Sequence, residues 1–416
     1  MPSLSRRIDA AQGRVPCDMI FRGVTYLDVF SCAWRTGDVA VADGVVVALD
    51  AGLRAEREIQ AKGKYLVPGF IDAHVHIESS LLVPENFSSA VLPRGTTTAV
   101  ADPHEIANVI GVEGVRYFLD AAGRVPLDLR VMLPSCVPAT DMETNGAGVL
   151  GARDLLPFKE QALGLAEMMN VPGVLHGDAG VHEKLCAFSD RPLDGHAPLL
   201  RGRELSAYAA CGISSCHESS QLSEAEEKIS KGISVWIREG SVAKDLHTLL
   251  PLMNLATSTS LGFCTDDRNP LDIAREGHID WLVREAVRGG VPAEVVYRAS
   301  SWSVARHYGL DRGRARKGAV APGWCADLVL LQDAATCSIQ DVFRAGRSVA
   351  EIPSPSAPAH RFPNTVRAAS PSPTDLEGSI GQVHVIGVEE GKIITHHLTL
   401  PHDAPGVARL SVLERY

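Results

Sequence analysis

Between residues 67 and 313, short apolar, β-prone runs alternate with helix-like stretches, and that alternation leaves few folds open. Eight runs read as strands: residues 70–77, 96–103, 129–136, 162–168, 192–198, 212–219, 234–241 and 261–267. Helical material such as Gly114-Val-Arg-Tyr-Phe-Leu-Asp-Ala-Ala122 and Glu224-Ala-Glu-Glu-Lys-Ile229 lies between them. Repeated strand–helix units build a parallel sheet, and eight of them over roughly 240 residues match a (β/α)8 TIM-type barrel of the α/β class.

The flanks read differently. Residues 17–66 carry short alternating runs (Met19-Ile-Phe-Arg22, Thr25-Tyr-Leu-Asp28, Val39-Ala-Val-Ala42, Gly44-Val-Val-Val-Ala48) punctuated by Gly and Asp. That is the pattern of small antiparallel strands. Residues 318–346 repeat the style, with Ala321-Pro-Gly-Trp-Cys-Ala-Asp-Leu-Val-Leu-Leu331 a turn feeding a strand. A small β-sandwich-like module built from both flanks, residues 1–66 and 314–350, is therefore expected around the barrel. Beyond it, Glu351-Ile-Pro-Ser-Pro-Ser-Ala-Pro-Ala359 and Ala369-Ser-Pro-Ser-Pro-Thr374 read as Pro/Ser-rich linker. Gln382-Val-His-Val-Ile-Gly-Val388 and Lys392-Ile-Ile-Thr-His-His-Leu398 read as two strands around Glu389-Glu-Gly391. Residues 351–416 thus read as a linker plus a partial C-terminal β region, too small for an independent core.

Composition narrows the function. A formal charge of −10 argues against general nucleic-acid affinity, because binding a phosphate backbone needs a basic surface. No apolar run approaches the length of a spanning helix. Met1-Pro-Ser-Leu-Ser-Arg-Arg7 is followed by Ile8-Asp-Ala-Ala-Gln12, not by an apolar stretch, so no signal peptide is expected. The nine cysteines include no Cys-x-x-Cys pair, and Cys136, Cys216 and Cys264 lie in apolar segments. They read as reduced core residues of a cytoplasmic protein. The expected partners are a small-molecule substrate and copies of the chain in a homo-oligomer, with neither nucleic acid nor membrane.

Chemistry concentrates where the predicted barrel strands end. In Val67-Pro-Gly-Phe-Ile-Asp-Ala-His-Val-His-Ile77, His74 and His76 are two apart on a strand, so their imidazoles face one side and can reach one cation. The fourth strand ends on Glu167, the fifth offers His196, the sixth His217 and the eighth Asp266. The C-terminal rim of such a barrel is where active sites are built. Any one of these histidines alone would read as a capping or filling residue. Four histidines and two carboxylates at one opening titrate badly without a cation, so a metal explains the set economically. A carboxylate between two ions about 3.5–4 Å apart is a hydrolytic arrangement.

Pro-Gly-Phe-Ile-Asp-x-His-x-His resembles the first barrel strand of the amidohydrolase superfamily, and the order His-x-His, acid, His, His, Asp is similar to its binuclear members. Many members carry a carboxylated lysine in the fourth strand. Here the matching residue is Glu167, since Lys159 lies too early and Lys184 too late. Val100-Ala-Asp-Pro-His-Glu-Ile-Ala-Asn-Val109, Met132-Leu-Pro-Ser-Cys-Val-Pro-Ala-Thr140, Cys216-His-Glu-Ser219, Ile237-Arg-Glu-Gly-Ser241 and Cys264-Thr-Asp-Asp-Arg-Asn-Pro270 sharpen the likeness to the adenine-deaminating branch. The likeness runs from about residue 23 onward.

The resemblance implies hydrolysis of adenine to hypoxanthine and ammonia in purine salvage, by a metal-activated hydroxide attacking C6. It implies that His74, His76 and Asp266 hold one ion and His196 and His217 the other, with Glu167 bridging. Asp266 would carry the proton to the departing amine. The ions implied are manganese or iron, with zinc able to occupy such sites. His104 and Glu105 after the second strand, and Arg238 and Glu239 at the end of the seventh, are candidates for contacting the purine. For the first pair the other reading is orientation of a ligand, and for the second it is ion pairing with neighbouring charges. Glu218 is expected to point away from the site if its strand stays regular, and so to form a salt bridge rather than act in catalysis. Asp267 is expected to pair with Arg268 or cap the next helix. Relatives usually continue into a larger C-terminal domain of which only opening strands are present, yet all six ligands precede Pro270. The competing readings are a cyclic-amide amidohydrolase of the dihydroorotase or hydantoinase kind, and a non-catalytic ligand-binding barrel.

Overall fold

The computed structural model describes residues 4–356, 362–378, 380–414 and 416. After a short helix, Leu4–Ala11, the chain enters a mixed sheet with strands β1 (Cys17–Asp28), β2 (Ala33–Ala42), β3 (Val45–Ala48), β4 (Ala55–Gln60) and β5 (Tyr65–Pro68). The two expected runs at residues 19–22 and 25–28 form one long strand, β1, whose pairing with β2 shifts register between Phe21 and Val24.

Eight parallel strands follow. They are β6 (Phe70–Val75), β7 (Thr96–Ala101), β8 (Asp128–Val131), β9 (Leu165–Met168), β10 (Leu193–Gly195), β11 (Ser215–Cys216), β12 (Ser234–Arg238) and β13 (Leu261–Cys264). Strands β6–β8 pair in sequence order, and so do β9–β13. Two single parallel bridges, Leu133↔Leu165 and Val75↔Asp266, link these sheets into a ring. At the first seam, the N–H of Leu133 donates to the Gly164 carbonyl at 2.9 Å, and that of Ala166 to the Leu133 carbonyl at 2.8 Å. At the second, the N–H of Asp266 donates to the His74 carbonyl at 3.0 Å, and that of His76 to the Asp266 carbonyl at 3.1 Å. Each expected barrel strand is present but shorter than its apolar run. The ladder ends near the first functional side chains, where the backbone bends outward to the rim loops. Gly95 feeds β7 at φ +86°, and a Cβ there would come within 2.7 Å of the Phe70 ring, so only glycine fits this turn.

The chain then returns to the first sheet through β14 (Leu328–Asp333), β15 (Ser338–Arg344) and β16 (Arg347–Ser348). The sheet order is β16-β15-β14-β5-β1-β2-β3, with β4 beside β1, so strands from both flanks of the barrel region share one sheet. The period-two pattern of β14 explains its two faces. Leu328 and Leu330 join a core with Phe21, Val39, Leu66 and Phe343. Val329 and Leu331 face the opposite way, packing with Phe70, Ile237, Phe263 and Leu282 of the barrel. Each such burial contributes roughly 1.5–3 kcal/mol.

The last elements are the antiparallel strands β17 (Gln382–Val388) and β18 (Thr395–Pro401), a hairpin with mostly exposed side chains. Of the Pro/Ser linker, residues 357–359 lie outside the described residues, as do the first three of the chain. All nine cysteines are free thiols, and six are buried. No helix among the described residues is long and apolar enough to cross a membrane.

Candidate active site

The barrel positions its polar groups through strand geometry. His74 lies inside β6 and Glu167 inside β9, while His76, His196, His217 and Asp266 come just after β6, β10, β11 and β13. Asp266 adopts φ +53°, a left-handed backbone uncommon outside glycine, as the chain leaves β13. Asp72 pins this corner. Its Oδ2 accepts from Thr265 Oγ1 at 2.6 Å, and its Oδ1 accepts from the Thr265 N–H at 3.1 Å and the His74 N–H at 3.3 Å. The strand bearing His74 is thereby fixed to the strand leading to Asp266. His278, fully buried, backs Asp72 with Nε2 at 3.2 Å from Oδ2.

All six expected ligands converge. Glu167 stands at the centre with its oxygens turned to different partners. Oε1 lies 3.1 Å from His76 Nε2 and 3.7 Å from His74 Nε2; Oε2 lies 2.6 Å from His196 Nδ1 and 3.2 Å from His217 Nε2. Asp266 Oδ1 is 3.3 Å from His76 Nε2 and 3.6 Å from His74 Nε2. The ligating atoms of His74, His217 and Asp266 fall within 4.8 Å of one another, as do those of Glu167, His196 and His217. His217 therefore sits between the two groups.

The charges within this cage are strongly coupled. Burial alone would raise the Glu167 carboxyl, yet the charge and hydrogen bond of His196, with His217 and His76 close beside it, hold it well below the usual range. Burial likewise opposes ionisation of Asp266, and its contacts with His74 and His76 outweigh that. Burial and the neighbouring His74 push His217 down to about 3, so it is a neutral imidazole.

The residues present fit metal ions. His217 Nε2 is buried without a hydrogen-bond partner, as is one oxygen of Glu218. Four imidazoles around a carboxylate that faces two ways is a donor set for paired N/O-ligated divalent ions. Neither lysine near the fourth strand enters: Lys159 pairs with Asp190 at 2.6 Å, and Lys184 donates to the Ser135 carbonyl at 2.7 Å.

Of the remaining candidates, His104 joins the cage, with Nδ1 3.4 Å from Glu167 Oε1 and 3.1 Å from Asp102 Oδ2. Glu105 accepts from the Ser79 hydroxyl at 2.7 Å. Arg238 is buried and shared among three carboxylates: Glu218, Asp266 at 3.1 Å and Asp245 at 3.1 Å. Glu239 accepts from the Leu246 N–H at 3.2 Å and belongs to none of the metal-capable groups among the described residues. Two expectations are corrected. Glu218 forms the expected salt bridge, with Arg238, but faces the site, with Oε1 3.6 Å from His217 Nε2, because β11 stops at Cys216 and strand alternation ends there. Asp267 neither pairs with Arg268 nor caps the next helix. Its carboxylate accepts from Ser79, Arg268 pairs with Glu276, and Asn269 caps the helix. Sequence reasoning also passed over Asp102, although it directly follows strand β7, at the same rim as the ligands. It groups with His76, His104 and Glu167.

The chain is similar to known proteins along most of its length. Residues 65–349 match the amidohydrolase family. A protein of Methylobacterium nodulans named adenine deaminase is 48% identical over 409 residues, spanning 96% of this chain and 71% of its own. One of Gluconobacter oxydans with the same name is 45% identical over 435 residues, spanning 100% and 75%. Among solved structures, dihydropyrimidinase from Brevibacillus agri superposes with a TM-score of 0.58 at 15% identity, covering 80% of this chain and 94% of that one. A β-aspartyl dipeptidase from Fervidobacterium islandicum gives 0.57 at 16%, covering 83% and 100%. At those identities the structural likeness speaks for the barrel fold alone.

Proposed function

This chain belongs to the amidohydrolase family, and we propose that it hydrolyses adenine to hypoxanthine and ammonia at the rim cage. The observation that carries the reading is Glu167, a carboxylate rather than a lysine, with its two oxygens facing separate histidine groups. It stands in a chain that is 43–48% identical to proteins named adenine deaminase. His74, His76 and Asp266 would hold one divalent ion and His196 and His217 the other, with Glu167 between them. Manganese or iron suits this set, and zinc could replace either. When bound, such ions polarise the substrate and bring the pKa of water near neutrality.

The chain's own groups supply the rest. Arg238 engages Asp266 Oδ2, which leaves Oδ1 on the histidine side. From there Asp266 takes a proton from the attacking water and delivers it to the exocyclic amine as the C6–N bond breaks. His104 and Glu105, which open the helix His104–Ile110, would receive the purine edge. Oxygen from water ends on C6, and the amine leaves as ammonia.

The test is product analysis with Mn2+-loaded protein offered adenine, dihydroorotate and hydantoin in parallel. Ammonia and hypoxanthine from adenine alone are expected. Ring opening of either cyclic amide, with adenine untouched, overturns the assignment.

A further inference from the structure

The hairpin β17–β18 lies apart from both cores, but its turn touches the barrel rim. The N–H of Lys244 donates to the Gly391 carbonyl at 2.9 Å. Beside it, Lys392 Nζ lies 3.1 Å from Asp245 Oδ1, a carboxylate whose side chain is 1% exposed. The other oxygen of Asp245 accepts from Arg238 Nη2 at 3.1 Å. Through Nη1, Arg238 reaches Glu218 and, at 3.1 Å, Asp266 Oδ2. An unbroken line of charge-assisted contacts thus runs from the C-terminal hairpin to the proposed proton carrier.

We propose that Lys392 is a positioning residue for the deamination, acting through Asp245 and Arg238 on Asp266. The inference rests on the deaminase reading above. Arg238 is one buried cation facing three carboxylates, and in a medium of low dielectric an unbalanced carboxylate is costly. The backbone fixes Asp245, because the loop reverses through a Glu239↔Lys244 bridge and the Asp245 N–H donates to the Arg238 carbonyl at 3.0 Å. Asp245 therefore anchors the Nη2 side of the guanidinium while Glu218 and Asp266 share Nη1, so where Asp245 stands sets where Arg238 meets Asp266. The ammonium of Lys392 satisfies the far oxygen of Asp245, so Arg238 remains available to hold Asp266 Oδ2. The hairpin is then a part of the catalytic apparatus that completes its charge balance from outside the barrel.

In full-length, Mn2+-loaded protein, Lys392→Ala is expected to lower kcat for adenine roughly 3- to 30-fold, the range for a residue acting through intermediaries. KM and bound metal should stay near wild type, and Lys392→Arg should restore most of kcat. Amide hydrogen exchange across residues 238–245 should quicken in Lys392→Ala. An unchanged kcat in Lys392→Ala, or a Lys392→Arg protein as slow as Lys392→Ala, overturns the proposal. If wild type releases no ammonia from adenine, the deaminase reading falls. The exchange comparison then still decides whether Lys392 orders the Arg238 loop, and unchanged exchange removes that role.

Discussion

The rings of His74 and His217 stack, with centroids 4.0 Å apart and planes 15° from parallel. Two imidazolium ions could not share that arrangement in a buried site, and His217 is held neutral, its pKa at about 3. A neutral imidazole whose buried Nε2 faces a carboxylate is suited to ligate a cation. His217→Ala should therefore reduce bound metal from two ions per chain to one or fewer, read by elemental analysis of protein prepared in excess Mn2+. Two ions retained would remove His217 from the ligand set.

Glu167 bears on both histidine groups at once. Glu167→Gln keeps the shape but removes the charge and one acceptor. It should lower kcat/KM by a factor on the order of 10³ and weaken both ions, because a bridging ligand serves each. Full turnover in this variant would show that the carboxylate is not needed.

Asp266→Asn separates binding from proton transfer. The amide can still accept from Arg238 but cannot carry a proton, so kcat should fall about 10²- to 10⁴-fold while KM changes little. Steady-state kinetics with adenine measure the split. A variant that raises KM with kcat intact would mean that Asp266 only binds.

Asp327 governs acid stability away from the site. Burial would raise its carboxyl, but the charges of Lys317 and Arg344, at 2.5 and 2.8 Å, bring it from 3.8 to about 2. A depressed folded-state pKa gives stability that is present above the unfolded value and lost as pH falls from about 4 through about 2. The contribution is roughly 2 kcal/mol. Urea unfolding should show Asp327→Asn less stable than wild type at pH 6, with the gap narrowing toward pH 2.5. A constant gap would contradict the linkage. Lys317 also reaches Asp128 of β8 at 2.9 Å, so this cluster joins the flanking sheet to the barrel.

The barrel and its six convergent side chains were legible because both are local patterns: an apolar run sets a strand, and polar groups at its C-terminal end sit at the rim. His74 and His76 followed from period two. What escaped depends on where regular structure stops. Glu218 faces inward because β11 is only two residues long, a length that the apolar run around it does not reveal. Asp72 needed the closing seam between the first and eighth strands, a contact 193 residues apart in sequence. Asp245 lies in a loop, Lys392, expected to open a strand, lies in the turn before β18 at Thr395, and their meeting across 147 residues has no local signature.

The most direct measurement is a metal titration of metal-free protein, following hypoxanthine formation from adenine as Mn2+ is added. If two ions share Glu167, activity should rise to a break at two equivalents per chain. A break at one equivalent, or no hypoxanthine at full loading, would contradict a paired-ion deaminase.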